Sequence, residues 1–315
     1  MRHVLDIDDF TPTELEQVLD LSTSVDTGSP LAGKAVALLF EKPSARTRNS
    51  MEVAVTQLGG HPAYIRPDEV GLDERESVED VTRTFACYYD VIGARVFDHS
   101  TVERMASVDA APIINLLSDA AHPMQVLGDL LTMRDELSVL EDRSVAFIGD
   151  GNNVAASLAL GTALTGMRFI HAAPHGYDLP LEVVEKVGAL GGSIEVYRSA
   201  HEAVEGADVV YTDTWASMGE EAMAAEKELA FANFQVDEQV MALAGEKAIF
   251  LHCPPAKRGK EVIDPVIDGP QSRVWQQAEN RMHSARGLLA WLSQWHQEQG
   301  HQKSMHQTSG NQEQT

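Results

Sequence analysis

The stretch Lys34–Gly60, KAVALLFEKPSARTRNSMEVAVTQLGG, decides how the chain is read. Its first part, KAVALLFE, is an apolar run of strand length. Its last part, TRNSMEVAVTQLG, has helical spacing and ends at a glycine pair. Between strand and helix lies a polar turn, and this segment packs Lys42, Arg46 and Arg48 with the hydroxyls of Ser44, Thr47 and Ser50. A strand, a turn and a helix N-terminus offer unsatisfied backbone N–H groups and the positive end of a helix dipole, which suits an anion. Arg46 and Arg48 add groups able to make bidentate contacts. A solvated helix start with surface ion pairs is the alternative.

The local positive charge stands out because the chain is acidic elsewhere. The 315 residues carry 24 Lys and Arg against 48 Asp and Glu, a formal net charge of −24. Nucleic acid and anionic membranes are disfavoured as partners, since both bind basic surfaces through counterion release. Only eight of the basic residues are Lys, and the acids are spread along the chain. That pattern suits a carboxylate-rich surface screened by high salt, where the Debye length falls to about 3 Å at 1 M. An ordinary acidic protein would look similar.

The alternation continues outward from the opening stretch. HPAYIRP, DVIGARV and PIINLLS read as further strands, with SVEDVTRTFACYY and STVERMASV helical between them. A first helix is expected from Pro12, capped by Thr11. A second series runs through RSVAFIGDG, FIHAAP, SIEVYRS, DVVYTDTW and KAIFLHCPP, and the break falls near TMRDELSVLEDRS. The expected fold is α/β, with two doubly wound parallel-sheet domains, an active-site cleft between them and a C-terminal helix crossing back. The expected boundaries are 1–133, 134–299 and a disordered polar tail over 300–315. No apolar run approaches a membrane span of roughly 18–20 residues, and the N-terminus lacks the apolar stretch of a secretory signal. A cytoplasmic protein is expected, and Cys87 and Cys253 form no disulfide framework.

Four further segments carry chemistry. In SDAAHPMQVLGDLLTM, His122 and Gln125 lie three apart at a helix start, on one side, where they can donate to a carbonyl or ester oxygen. FIGDGNNVAAS is a weak dinucleotide fingerprint: Val154 stands where a third glycine belongs, and no ribose-binding acid ends the next strand. A nicotinamide cofactor is therefore not expected, and Asn152 and Asn153 offer amides to a small polar ligand. YTDTWASMGEE places Asp213, Ser217 and Met218 after a strand, with Asp213 suited to a substrate ammonium or to capping a helix. FLHCPPAKRG puts Cys253 after another strand, beside Pro254 and Pro255. No glycine-framed elbow supports a nucleophile there. A rigid turn, cis at a Pro-Pro bond, would aim backbone carbonyls at a ligand, leaving Cys253 to orient an amine or to be a small buried thiol.

Taken in order, SARTR, GARVF with Arg95, HPMQ, GDGNNV, DTWASMGE, HCPPAKRG and AENRMH resemble the aspartate/ornithine carbamoyltransferase family, and within it the ornithine branch, over about Val4 to Trp295. The resemblance implies that Ser44, Ala45, Arg46 and Thr47 bind the phosphate of carbamoyl phosphate, with Arg95 contacting it too. It implies that His122, Gln125 and Arg281 polarise the carbamoyl carbonyl. L-Ornithine would lie with Asn153, Ser217 and Met218 at its α-carboxylate end and Asp213 at its α-amine, its δ-amine oriented by Cys253 and the Pro254 carbonyl. The implied product is L-citrulline with phosphate, or the reverse phosphorolysis, with neither metal nor cofactor. A homo-oligomer built from trimers is also implied, in which the loop GLDERESVED brings Arg75 to a neighbour's site. Two residues depart from the family pattern: Ala45 replaces a Thr in S-T-R-T-R, and Pro254 replaces a Leu in H-C-L-P. Other acceptors (aspartate, putrescine, an acylated ornithine) and a catalytically silent paralogue remain as alternatives.

Overall fold

A computed structural model describes residues 1–216 and 221–310; nothing is described for 217–220 and 311–315, nor for the side chains of Glu221 and 300–310. Two compact units make up the chain. The first comprises Met1–Val4, Glu16–Leu116 and the chain from Met282 on; the second comprises Leu5–Leu15 and Leu117–Arg281.

Along the chain, α1 (Pro12–Thr23) is followed by β1 (Ala35–Phe40), α2 (Ala45–Gln57), β2 (His61–Ile65), α3 (Pro67–Val70), α4 (Val78–Ala86), β3 (Val91–Arg95), α5 (His99–Ser107) and β4 (Ile113–Leu117). The four strands form one sheet in the order β2-β1-β3-β4. β1 runs parallel to both neighbours, with Phe40 opposite Arg95 at the end of β3. Val36 to Phe40 are all buried, as expected for a strand covered on both faces, and this is why β1 reads as a continuous apolar run. α2 buries Thr47, Met51, Ala54 and Val55, a spacing that puts one stripe of the helix inward.

The second unit contains α6 (Pro123–Leu137), β5 (Ser144–Ile148), α7 (Asn153–Thr165), β6 (Arg168–Ala172), α8 (Leu181–Ala189), β7 (Ile194–Tyr197), α9 (Ala200–Ala203), β8 (Val209–Thr212), α10 (Ala224–Ala230), α11 (Glu238–Ala244), β9 (Ile249–His252), α12 (Asp264–Ile267) and the start of α13 (Val274–Gly310). Its five strands are parallel, in the order β7-β6-β5-β8-β9. Aromatic rings fill the sheet's core: Phe147 stacks on Phe169 and on Tyr211, with centroids 6.4 and 5.3 Å apart. The strand series and both parallel sheets match the sequence reading.

From Met282, α13 belongs to the first unit, where it packs on α1. Gly287 permits this contact, since a Cβ there would lie 2.6 Å from the Val18 carbonyl oxygen and 2.7 Å from the Ser22 nitrogen. Trp291 Nε1 donates to Gln17 Oε1 at 3.1 Å, and Arg286 Nη2 donates to the carbonyls of Ser22 and Ser24 at 2.9 and 3.0 Å. The helical backbone of α13 runs through Gly310.

Candidate active site

In the first sheet the chain leaves β1 toward one edge and β3 toward the other, so the carboxyl ends of these neighbours form a topological switch point, where α/β sheets bind ligands. The basic segment lies there. Ser44 is extended and caps α2, its Oγ accepting the Thr47 N–H at 3.3 Å and donating to Thr47 Oγ1 at 3.2 Å. Ala45 and Arg46 occupy the first turn, where N–H groups have no intrahelical acceptor. Arg48 is engaged elsewhere: its Nε donates to Glu52 Oε1 at 2.8 Å and its guanidinium lies 3.9 Å from the Tyr64 ring centroid. Lys42 Nζ sits 4.5 Å from the Phe97 ring. Arg46 is exposed, while Arg95, buried at the end of β3, adds a second guanidinium to this corner of the sheet. Arg75 is exposed on its loop and donates to the Glu69 carbonyl at 3.3 Å. The loop is braced by Arg104, which pairs with Asp73 at 2.5 Å and Glu79 at 2.7 Å.

The second sheet has its switch point between β5 and β8. After β5, Gly151 passes so close to the Asp178–Leu179 peptide that a Cβ would lie 2.6 Å from the Leu179 nitrogen. Asn152 then caps α7, its Oδ1 accepting from the Val154 and Ala155 N–H groups at 3.0 and 3.1 Å. Its Nδ2 donates to Asp213 Oδ2 at 3.2 Å, across the switch point. Asp213 Oδ1 accepts the Thr214 N–H at 2.7 Å. Burial pushes the Asp213 carboxyl up to about 6, with nearby His252 pulling it back down. Asn153 donates through Nδ2 to the Ser118 carbonyl at 2.6 Å, which leaves its second amide N–H and its Oδ1 for other partners. Ser217 and Met218 lie outside the described residues.

A buried polar cluster joins α6, β8, the end of β9 and the start of α13. His122 is the N-cap of α6 without a side-chain cap bond. Its backbone N–H donates to Ser157 Oγ at 2.9 Å, and that hydroxyl donates to Asp6 Oδ1 at 2.6 Å. Asp6 is pushed up to about 7 by burial. Gln125 donates through Nε2 to Asp129 Oδ1 at 2.7 Å, and its Oε1 accepts from Cys253 Sγ at 3.4 Å. Asp129 also accepts from Gln277 Nε2 at 2.6 Å and from the Tyr211 hydroxyl at 3.0 Å. Burial pushes Asp129 up to about 7. Arg281 is buried beside this cluster: Gly128 lets α13 approach α6, since a Cβ there would lie 3.0 Å from Arg281 Cγ and 3.2 Å from its Cα. Cys253 is buried after β9, and the Pro254–Pro255 bond is cis. Beside it His252 Nε2 meets Glu261 Oε1 at 3.1 Å, both side chains fully buried.

Thus Ser44, Ala45, Arg46, Thr47 and Arg95 gather at one switch point. Gln125, Cys253 and Asp129 are linked directly in the second unit, as are Asn152 and Asp213. Sequence reading missed Asp129, Tyr211 and Gln277. Asp129 had a signal, an acid four residues after Gln125 in an apolar helix; Gln277, a polar residue in a long helix, had none.

Two family models match the chain. Residues 2–135 match the aspartate/ornithine carbamoyltransferase carbamoyl-P binding domain, and residues 141–292 match the Asp/Orn binding domain of the same family. Among similar proteins, the ornithine carbamoyltransferase of Acidothermus cellulolyticus is 44% identical over 303 residues, covering 93% of this chain and 96% of that protein. That of Haloquadratum walsbyi is 43% identical over 291 residues, covering 91% and 96%. The solved ornithine carbamoyltransferase of Pyrococcus furiosus superposes with a TM-score of 0.88 at 40% identity, covering 92% of this chain and 96% of that one. With both domain models matched and relatives aligned over nine tenths of its length, the chain belongs to the aspartate/ornithine carbamoyltransferase family.

Proposed function

We propose that the protein transfers the carbamoyl group of carbamoyl phosphate to the δ-amine of L-ornithine, giving L-citrulline and phosphate. The observation that carries this reading is the match over more than nine tenths of the chain to proteins named ornithine carbamoyltransferase. In it, the α2 N-terminus holds the phosphate through Ser44, Thr47, the first-turn N–H groups including that of Ala45, and Arg46, with Arg95 as a second guanidinium. Ala45 supplies its N–H without needing a hydroxyl. His122, Gln125 and Arg281 direct donors at the carbamoyl oxygen, where negative charge develops as the amine adds. Asp213 holds the α-ammonium, Asn153 with Ser217 and Met218 the α-carboxylate, and Cys253 with the Pro254 carbonyl the δ-amine.

The δ-nitrogen must be neutral to attack. Its lone pair forms the new C–N bond, the carbonyl is restored as the C–O bond to phosphate breaks with its electron pair, and the nitrogen gives up a proton that the departing phosphate takes. Positioning and preorganised donors supply the catalysis. We further propose a cytoplasmic homo-oligomer built from trimers, in which Arg75 reaches a neighbour's phosphate site; its exposure on a braced loop supports that role. Initial rates of carbamoyl transfer to ornithine, putrescine, N-acetylornithine and aspartate test the acceptor. Ornithine should exceed the others by orders of magnitude, and a preference for another amine would overturn the assignment.

A further inference from the structure

The hydrogen bonds around Asp129 determine which way the Gln125 amide faces. A glutamine amide has two orientations of nearly equal shape, and in a ligand site only one presents an N–H in a given direction. Here Gln125 Nε2 is 2.7 Å from Asp129 Oδ1, and Gln125 Oε1 accepts from Cys253 Sγ at 3.4 Å. Turning the amide over would set Gln125 Oε1 against Asp129 Oδ1, an oxygen that already accepts from Gln277, and would exchange a strong acceptor for the weak Cys253 sulfur as the partner of its N–H.

Asp129 itself cannot rotate away. Its Oδ1 also accepts from Gln277 Nε2 at 2.6 Å and its Oδ2 from the Tyr211 hydroxyl at 3.0 Å, so residues of three elements fix its plane. Gln277 is fixed in turn, its Oε1 accepting the His252 N–H at 2.9 Å, one residue before Cys253. A single fully buried carboxylate thus ties Gln125 to the strand end that carries the thiol.

We propose that Asp129 is a positioning residue for the transfer: it holds the Gln125 amide so that Oε1 faces Cys253 and the second N–H of Nε2 is left to meet the carbamoyl oxygen. This rests on the transfer reading above. Asp129 does not touch substrate and acts through Gln125. An alanine at 129 removes the acceptor, whereas an asparagine keeps one acceptor oxygen and the shape.

The test combines an activity-independent readout with kinetics. In protein labelled with 15N-glutamine, the Gln125 side-chain amide pair, identified by its loss in Gln125→Ala, should show one strongly hydrogen-bonded proton that is lost in Asp129→Ala and partly kept in Asp129→Asn. With carbamoyl phosphate and ornithine, Asp129→Ala should lower kcat by about 10²–10³-fold, the range for losing one aimed donor, while each KM changes less. Asp129→Asn should recover at least about tenfold of that loss. In a Gln125→Ala background, Asp129→Ala should cost little more, because its effect has already been removed. An equal kcat loss in both backgrounds, or an amide signal unchanged by both substitutions at Asp129, would overturn the proposal. If Asp129→Ala does not fold, the Asp129→Asn spectrum decides alone, with an unchanged amide pair counting against it. A wild-type protein that makes no citrulline would refute the transfer reading while the amide spectra still decide the role of Asp129.

Discussion

The Asp213 carboxylate should make amino-acid binding fall with pH over a defined window. Its two oxygens already accept from Asn152 and Thr214, and a bound α-ammonium would add a charge-assisted contact of about 1.5–3 kcal/mol. That contact requires the ionised form. Burial raises the group to about 6, so it is ionised at pH 8, half protonated near 6 and about nine-tenths protonated at pH 5. Affinity should therefore be flat from pH 8 to 7 and about tenfold weaker at pH 5, or about 1.4 kcal/mol per unit below the pKa. L-Norvaline is the suitable probe, since it has the α-groups of ornithine and lacks the δ-amine, whose own titration would obscure the effect. Calorimetric titrations from pH 5 to 8, on wild type and Asp213→Asn, make the comparison. The variant should bind roughly 10–150-fold more weakly at pH 8 and should lose the dependence around pH 6. The variant retains two other buried carboxyls pushed up to about 7, Asp6 and Asp129, so the comparison reads the component near pH 6 that Asp213→Asn removes. Equal affinity at pH 5 and pH 8 in wild type, or an identical profile in the variant, would refute the role given to Asp213.

Arg46→Ala should weaken carbamoyl phosphate binding by about 1.5–3 kcal/mol, because it removes an exposed guanidinium from the helix start proposed to hold the phosphate; an unchanged KM for carbamoyl phosphate would contradict this. Gly287→Ala should force α13 off α1, since the added carbon would lie 2.6 Å from the Val18 carbonyl oxygen. Overpacking of this kind costs about 1–3 kcal/mol and should lower the melting temperature by roughly 2–12 °C, which scanning calorimetry would read. In the proposed trimer three chains at −24 would carry about −72, and near 10 mM salt the Debye length approaches 30 Å. Dilution into low salt should therefore lower oligomer mass and activity together, as light scattering with a parallel rate assay would show.

The sheets were legible in the sequence because strands covered on both faces read as unbroken apolar runs; Ala35–Phe40 and Ile249–His252 are of this kind. The turns proposed to bind the substrates stood out for a related reason, since Lys42–Arg48 and Gly149–Asn153 place polar residues directly after such runs. What the sequence left open was the direction of each side chain. Adjacent asparagines look alike on paper, yet Asn152 meets Asp213 while Asn153 meets Ser118. The Asp129 cluster depends on Gln277, which lies 148 residues away from it, and no local period records a pairing of that range. Compactness groups α6 with the second unit from Leu117, a grouping set by contacts between residues far apart in the sequence.

Carbamoyl transfer requires the carbonyl carbon to leave the phosphate oxygen for the δ-nitrogen of ornithine. Carbamoyl phosphate labelled with 13C at the carbonyl, mixed with the protein and L-ornithine, tests this directly by carbon and phosphorus NMR. The label should move into the ureido carbon of citrulline while inorganic phosphate appears in equal amount, faster than in a protein-free control. Phosphate released at the protein-free rate, or label appearing on the α-nitrogen or in no amine product, would contradict it.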